Sequence, residues 1–580
     1  MPMYEPQQIN PAEIAAQRAL DEMFECIRAC QNFRLEAGAG AGKTYSLVKA
    51  LKLIIDEQGS ALQRRRQQVA CITYTNVATD EITSRTDGHP AVRASTIHAF
   101  CWDLIKSFQP HLRAKVSEID AWSEKLEEAG GVGTRRIDYD RGYRHVNDTH
   151  LLLHHDDVLT LAVALMEQRK FRHIFSTRFP ILFIDEYQDT NADFANSILQ
   201  HFITPRVGPL IGLFGDSWQK IYRDGSGLIE QENLKQIGKK ANFRSVKNIV
   251  DVLNSMRPDL PQEVENPEAT GSVVVYHSNA WVGARQGGSH WKGDLPTEDA
   301  HRFLEGLRQR LSDEGWDFAP NKTKILMLTH KVLAAEQNYA QIASAFRYND
   351  SFIKKEDPHI AFLVDTVEPA CAAFQDGRYG EMFATIDTRA DRIRSIEDKQ
   401  AWARDMRLLI ELRETGTIGE VLDLLKATRR PRLPDIVQRT ETELTSASPE
   451  DLEESRTLSQ ISKLSEIPYR ELISLALFVN DHTPFSTKHG VKGAEFENVL
   501  VVLGRGWNQY NWNQFLEWFS NGFPSNKADS YERNRNLFYV VCSRPKKRLA
   551  LLFTQELSEA ALDTLRSWFG EENVNPLILG

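Results

Sequence analysis

The sequence predicts an α/β protein with two parallel sheets of the phosphate-loop type, each interrupted by an inserted, mostly helical subdomain. Three observations predict it. An apolar approach, Phe33 and Leu35, runs into the glycine-rich stretch AGAGAGKT at 37–44. A second apolar run, FPILFIDEYQDTN at 179–191, ends on the adjacent carboxylates Asp185 and Glu186. From about residue 240 the alternation starts afresh, with VVVY (273–276), KILMLT (324–329), NVLVVLG (498–504) and RLALLF (548–553) reading as strands. Strands that alternate with helical patterns build parallel sheets.

The first stretch carries the clearest chemistry. Gly38, Gly40 and Gly42 let the backbone curl until successive N–H groups face one point, which side chains with a Cβ resist. A helical pattern follows at once through Leu47, Val48, Leu51 and Ile54. The loop amides therefore sit at a helix N-terminus, which favours an anion. Lys43 reaches the β- and γ-phosphates and the Thr44 hydroxyl holds Mg²⁺. The cradle spans Ala37, Gly38, Ala39, Gly40, Ala41, Gly42, Lys43, Thr44 and Tyr45, with Ala37 where the general pattern has glycine. Such a cradle binds a nucleoside triphosphate. Asp185 holds the metal through water, and Glu186 orients or deprotonates the attacking water. LIGLFGDSWQKIY (210–222) repeats the plan of strand, glycine and aspartate, and then brings Gln219.

A chain of 580 residues has room for several domains. Its net charge of −10 gives no global attraction to nucleic acid, so such a site must be a local groove. Six cysteines make no disulfide framework, and Cys26 and Cys30 fall on one helix without a second pair at zinc spacing. The start, MPMYEPQQIN, lacks the build of a signal peptide, and ELISLALFV (471–479) is far too short to span a membrane. The expectation is a cytoplasmic protein without membrane contact.

Along the chain, residues 11–31 read as a helix, VACITYTN (69–76) as a buried strand with a polar end, and RASTIHAF (93–100) as a turn into a helix. Residues 123–149 change character, as a small hairpin lying off the main sheet would. His154, His155, Asp156 and Asp157 suggest metal ligands at first sight, but Asp156 and Asp157 fit the start of the helix VLTLAVAL as favourable charges. The division expected is a first lobe from 1–100 and 150–240 around an insertion at 101–149, and a second from 241–349 and 481–580 around a helical insertion at 350–480. An irregular glycine-rich loop, 280–297, and an aromatic-rich segment, 507–519, belong to the second lobe.

Taken together, the stretches resemble the UvrD/Rep-like helicases of superfamily 1, in family order. AGAGAGKT resembles motif I, TYTNVATDEI (73–82) motif Ia, STIHAF (95–100) the next DNA-contact motif, and IDEYQDTN (184–191) motif II. GDSWQKIY (215–222) is similar to motif III, NFRS (242–245) to motif IV, STKHGVKGAEFENV (486–499) to motif V, and NLFYVVCSR (536–544) to motif VI.

The resemblance implies two RecA-like lobes with ATP and Mg²⁺ between them and single-stranded DNA across their tops. It makes Lys43, Glu186, Gln219, Arg244 and Arg544 the catalytic set, with Gln219 sensing the γ-phosphate. Arg244 and Arg544 neutralise the transferred phosphoryl group, an effect of roughly 10³–10⁵ in rate for an arginine finger. Phe243 stacks on adenine, Gln17 meets the adenine edge and Glu495 the ribose. Thr73, Tyr74, Asn76, Thr96, His98, Tyr222, Thr487 and His489 fall at family positions for DNA contact. The family's second aromatic, two residues after the motif III tyrosine, is Asp224 here, so Trp218 or the 507–519 aromatics are candidates to replace it. The short build, with HTPFSTKHG and YNWNQF, is most similar to the UvrD-like helicases of Gabija-type phage-defence operons, which work beside an OLD-type nuclease. The implied activity is ATP-driven 3′–5′ movement on single-stranded or tailed duplex DNA. The alternative is a DNA-stimulated ATPase that regulates a nuclease.

Overall fold

The computed structural model describes residues 10–139, 144–220, 224–288, 291–327, 330–386, 393, 395–448, 451, 455–486, 494–505 and 510–579. Helix α1 (Pro11–Arg28) starts on an Asn10 cap, whose side chain accepts from the Glu13 amide, with proline in the first turn. It stops three residues short of the expected end, because Cys30 turns left-handed (φ 52°) to feed the chain into the sheet.

Strands β1 (Phe33–Ala37), β2 (Val69–Thr73) and β3 (Val92–Thr96) are followed by the short β4 (Arg136–Asp138), β5 (His145–Val146) and β6 (His150–Leu152). Then come β7 (Ile181–Asp185), β8 (Leu210–Gly215) and β9 (Lys235–Lys239). The first sheet runs β3-β2-β7-β8-β1-β9, with every neighbouring pair parallel. Strands β1, β2, β7 and β8 are buried along their whole length, as parallel strands covered on both faces must be. One face packs on α1 and α2 (Lys43–Arg64) through Met23, Ile27, Leu47 and Leu51. The other packs on helices that bring Phe100, Leu104, Leu161 and Phe175. Phe33, Phe183 and Phe214 meet edge to face, with centroids 5.3 to 6.0 Å apart. Gly212 makes that packing possible, since a Cβ there would lie 2.7 Å from both the Phe33 and Phe183 rings.

Strands β4, β5 and β6 form a separate three-stranded sheet in the order β4-β6-β5. Asp157 ties it down. Its carboxylate accepts from Trp122 Nε1 at 3.0 Å and from Arg144 Nη2 at 2.7 Å, and it closes a capping box with His154. The 154–157 cluster is thus a helix start, and no cluster of metal-ligating side chains occurs among the described residues.

The chain then makes a two-stranded pair, β10 (Ala241–Asn242) with β11 (Glu263–Val264), which packs against α1. The second sheet takes β12 (Ser272–His277), β13 (Thr323–Met327), β14 (Phe485–Ser486), β15 (Phe496–Leu503), β16 (Pro545–Phe553) and β17 (Val574–Pro576). Its order is β14-β13-β15-β16-β12-β17, all parallel. Between β13 and β14 the described elements are helices, and they share one core with the sheet: Leu409, Val421 and Leu472 join Ile325, Leu500 and Leu552. The other face carries the helices Lys247–Met256, Trp512–Asn521, Ala528–Cys542 and Glu559–Phe569.

Of the 507–519 aromatics considered for base stacking from the sequence, Tyr510, Trp512 and Phe515 do not offer an open surface. Among the described ones, Trp512 is fully buried, Phe515 is buried, and Tyr510 stacks flat on Trp512 at 5.5 Å. They are core. No described helix is long and apolar enough to cross a membrane.

Candidate nucleotide site between the two sheets

The carboxyl ends of β1, β7 and β8 converge where an open parallel sheet holds its ligands. From β1 the chain enters the glycine loop, where Gly40 (φ 73°) and Gly42 (φ 74°) are left-handed. Gly42 is the N-cap of α2 with no side-chain cap, so the first amides of that helix keep their donors for a ligand. The loop is pressed against the segment that follows β10. A Cβ on Gly40 would lie 2.8 Å from both Arg244 Cβ and Asn242 Oδ1. The Phe243 amide donates to Gly40 O at 2.9 Å, and Asn242 Nδ2 and Gln262 Nε2 both donate to Ala39 O at 3.1 Å. Behind the loop, the buried Lys239 donates from Nζ to Gly42 O at 3.1 Å and to Ser46 Oγ at 2.8 Å. Burial pushes its ammonium down to about 8.

Asp185, the last residue of β7, is buried, and Glu186 follows in a left-handed conformation (φ 49°). That is a costly backbone for a glutamate, of the kind concentrated at functional sites. The Glu186 carboxylate lies 3.4 Å from Lys43 Nζ and accepts from Gln188 Nε2 at 2.5 Å. Thr44, half-buried, opens α2 directly after Lys43.

Just after β8, Gln219 donates from Nε2 to Asp216 Oδ2 at 2.7 Å, and across the cleft its Oε1 accepts from Arg544 Nη2 at 3.4 Å. Arg544 sits between the helix Ala528–Cys542 and β16, and its Nε is held by Val540 O at 3.1 Å. Arg244 donates to Ser543 O at 2.9 Å, which sets the two guanidiniums side by side. Burial, and then the neighbouring Arg244 charge, lower the Arg544 pKa well below the ordinary arginine range. Two crowded guanidiniums, Lys43 and a helix N-terminus around one cleft form a donor set that fits a polyphosphate.

The remaining expected contacts lie around this cleft or on α1. Gln17 donates to Asp21 Oδ1 at 2.8 Å on the exposed face of α1. Glu495 lies 2.8 Å from Lys546 Nζ and 3.5 Å from Arg244 Nε, an ion-pair role beside the site. Phe243 is 37% exposed and keeps ring surface open. Tyr45 is exposed too, with Lys49 Nζ 5.3 Å from its ring.

The nucleic-acid candidates gather at the β3–β2 end of the same sheet, where Thr73 and Thr96 are register partners at the carboxyl ends of their strands. Thr73 is buried, and its hydroxyl bonds to Thr75 O and Thr79 Oγ1, so it shapes the turn and presents no free contact. Tyr74 and Asn76 are exposed, while Thr96 and His98 are half-buried. Tyr222, Thr487 and His489 lie outside the described residues. Trp218 is no open stacking surface: Arg535 stands 4.3 Å and Arg257 5.2 Å from its ring, and Tyr539 packs edge-on at 5.4 Å.

Residues 22–224 match the family model of an AAA domain, and residues 327–556 that of the UvrD-like helicase C-terminal domain. The two matches support a UvrD-like helicase. It is 23% identical to the Gabija protein GajB of Bacillus cereus, over 96% of this chain and 97% of that one. It is 25% identical to the ATP-dependent DNA helicase Rep of Escherichia coli, over 90% and 88% of the two chains. With the ATP-dependent DNA helicase PcrA of Staphylococcus epidermidis it shares 24% identity over 40% and 39%.

Motif reading gave no role to Lys239, Asn242, Gln262, Glu36 or Arg257. One signal was available. Strand β1, FRLEA, is wholly buried yet carries Arg34 and Glu36, and buried charges demand partners.

Proposed function

We propose that the chain is an ATP-dependent DNA translocase or helicase that moves 3′ to 5′ on single-stranded DNA, driven by hydrolysis at the cleft between the sheets. The observation that carries this reading is the contact of Arg544, at the foot of β16, with Gln219, which follows β8. A site completed from both sheets ties hydrolysis to their relative position. Lys43 and the loop amides bind the phosphates, and Glu186, held by Gln188, takes the proton of the attacking water. Thr44 and Asp185 are the residues to hold Mg²⁺, which when bound offsets charge on the phosphates. Arg244 and Arg544 stabilise charge that develops on the transferred group, and Phe243 offers a face for the base. Tyr74, Asn76, Thr96 and His98 line the neighbouring strand ends as the first-sheet contacts to the nucleic acid.

A second reading is favoured by the near full-length similarity to a Gabija protein. In it the chain is a DNA-stimulated ATPase that regulates a partner nuclease of the OLD type in phage defence. Hydrolysis measured without DNA, with single-stranded DNA, and with 3′-tailed, 5′-tailed and blunt duplexes separates the readings. Stimulation with unwinding of the 3′-tailed duplex supports the translocase. Stimulation without unwinding supports the regulator, and a lack of stimulation removes both.

A further inference from the structure

Arg257 lies outside every motif singled out in the sequence. It follows directly on the helix Lys247–Met256, which is anchored on the second sheet through Ile249, Val252, Leu253 and Met256. Its guanidinium is 3% exposed and reaches into the strand ends of the first sheet. There Nη1 lies 2.5 Å from Asp216 Oδ1, and Nη2 donates to Glu36 Oε1 at 3.0 Å. Glu36 also accepts from the Ser217 amide, the Ser217 hydroxyl and the Tyr187 hydroxyl, each at 2.7 Å. The rings of Trp218 and Tyr539 flank the guanidinium at 5.2 and 5.9 Å.

Asp216 is the shared member of two contacts. One oxygen takes Arg257, and the other takes Gln219 Nε2 at 2.7 Å. With its nitrogen committed there, Gln219 turns Oε1 toward Arg544. We propose that Arg257 is a positioning residue that sets the Gln219 amide through Asp216 and so makes it respond to the position of the second sheet. The proposal rests on the hydrolysis reading above. When the second sheet draws back, Arg257 leaves with it, Asp216 loses its lock, and Gln219 loses its fixed acceptor.

Stability alone is a poor reason for this arrangement. Buried ion pairs are commonly replaced by apolar residues at no cost, whereas removing one partner is strongly destabilising. The planar fork of arginine can serve two carboxylates at once, which a lysine ammonium cannot do with the same geometry.

The test is a cycle of Arg257→Lys and Gln219→Ala, singly and together, followed by steady-state hydrolysis and the affinity of a ribose-labelled fluorescent ATP. Arg257→Lys should lower kcat roughly 10- to 100-fold, as loss of alignment does, and leave nucleotide affinity within about twofold. Added to Gln219→Ala it should cost nothing further, since both act through one amide. Parental kcat in Arg257→Lys, or losses that multiply in the double variant, overturn the proposal. If Arg257→Lys does not fold, Asp216→Asn decides. Its amide confronts Gln219 Nε2 with a donor or gives up Arg257, so kcat must fall, and an unchanged kcat overturns the proposal. A parent protein that hydrolyses while the variants match it removes only Arg257. A parent that never hydrolyses ATP removes the hydrolysis reading and this proposal with it.

Discussion

Lys43 Nζ lies 3.4 Å from Glu186 Oε1, so the cation of the glycine loop and the carboxylate after β7 face each other across the floor of the cleft. The two have opposite tasks toward a nucleotide, and separating them experimentally follows from that. Lys43→Ala should abolish both hydrolysis and tight nucleotide binding, because it removes a phosphate contact. Glu186→Gln should abolish hydrolysis by at least about 10²-fold, the scale of a lost general base, and keep binding. Equal loss of binding in both, measured with a fluorescent nucleotide, contradicts these assignments.

Arg244 and Arg544 stand side by side and complete the site from the far wall. Replacing either with alanine should reduce kcat by roughly 10³-fold or more while affinity changes little, the pattern of an arginine finger. Turnover at the parental rate in either variant takes that arginine out of the mechanism.

Lys239 makes the site sensitive to alkaline pH. Burial pushes its ammonium down to about 8, whereas an unfolded chain holds that proton to roughly 10.4. Between these values the unfolded state binds more protons, so this group makes stability rise as pH climbs from about 8 toward 10, and below 8 its burial cost is present in full. An anion in the loop favours the charged form, so nucleotide binding near pH 8 should take up protons. Calorimetry in buffers of different ionisation enthalpy should detect that uptake in the parent and lose it in Lys239→Met. Identical uptake in the two would assign the proton elsewhere.

Asp157 has a structural role. Its buried carboxylate serves Trp122, Arg144 and the cap of its own helix. Asp157→Ala leaves Arg144 without its partner and should destabilise the fold by about 3–5 kcal/mol, as breaking a buried pair does. Denaturant unfolding measures this directly, and a change below about 1 kcal/mol, the scale of an exposed pair, would show the contact to be peripheral.

The sequence alone determined the chemistry that short spacing encodes. Gly40 and Gly42 take the left-handed turns the loop needs, Asp185 ends its strand with Glu186 directly after it, and Lys43 opens its helix. Periodicity likewise marked the long buried strands, but it read the edge strand β3 as a turn and overlooked β9, β14 and β17, which are short or half-exposed at sheet edges and carry little apolar signal. Only the tertiary structure decided how the site is closed. Asn242 reaches Ala39 across 203 positions, Arg244 reaches Ser543 across 299, and Arg257 reaches Glu36 across 221. No local pattern encodes such pairs, because each partner is an ordinary polar residue in its own segment until packing removes water from around it. The same holds for the aromatics: Trp512 became core and Trp218 was enclosed by two arginines, for a side chain's environment is set by what folds over it.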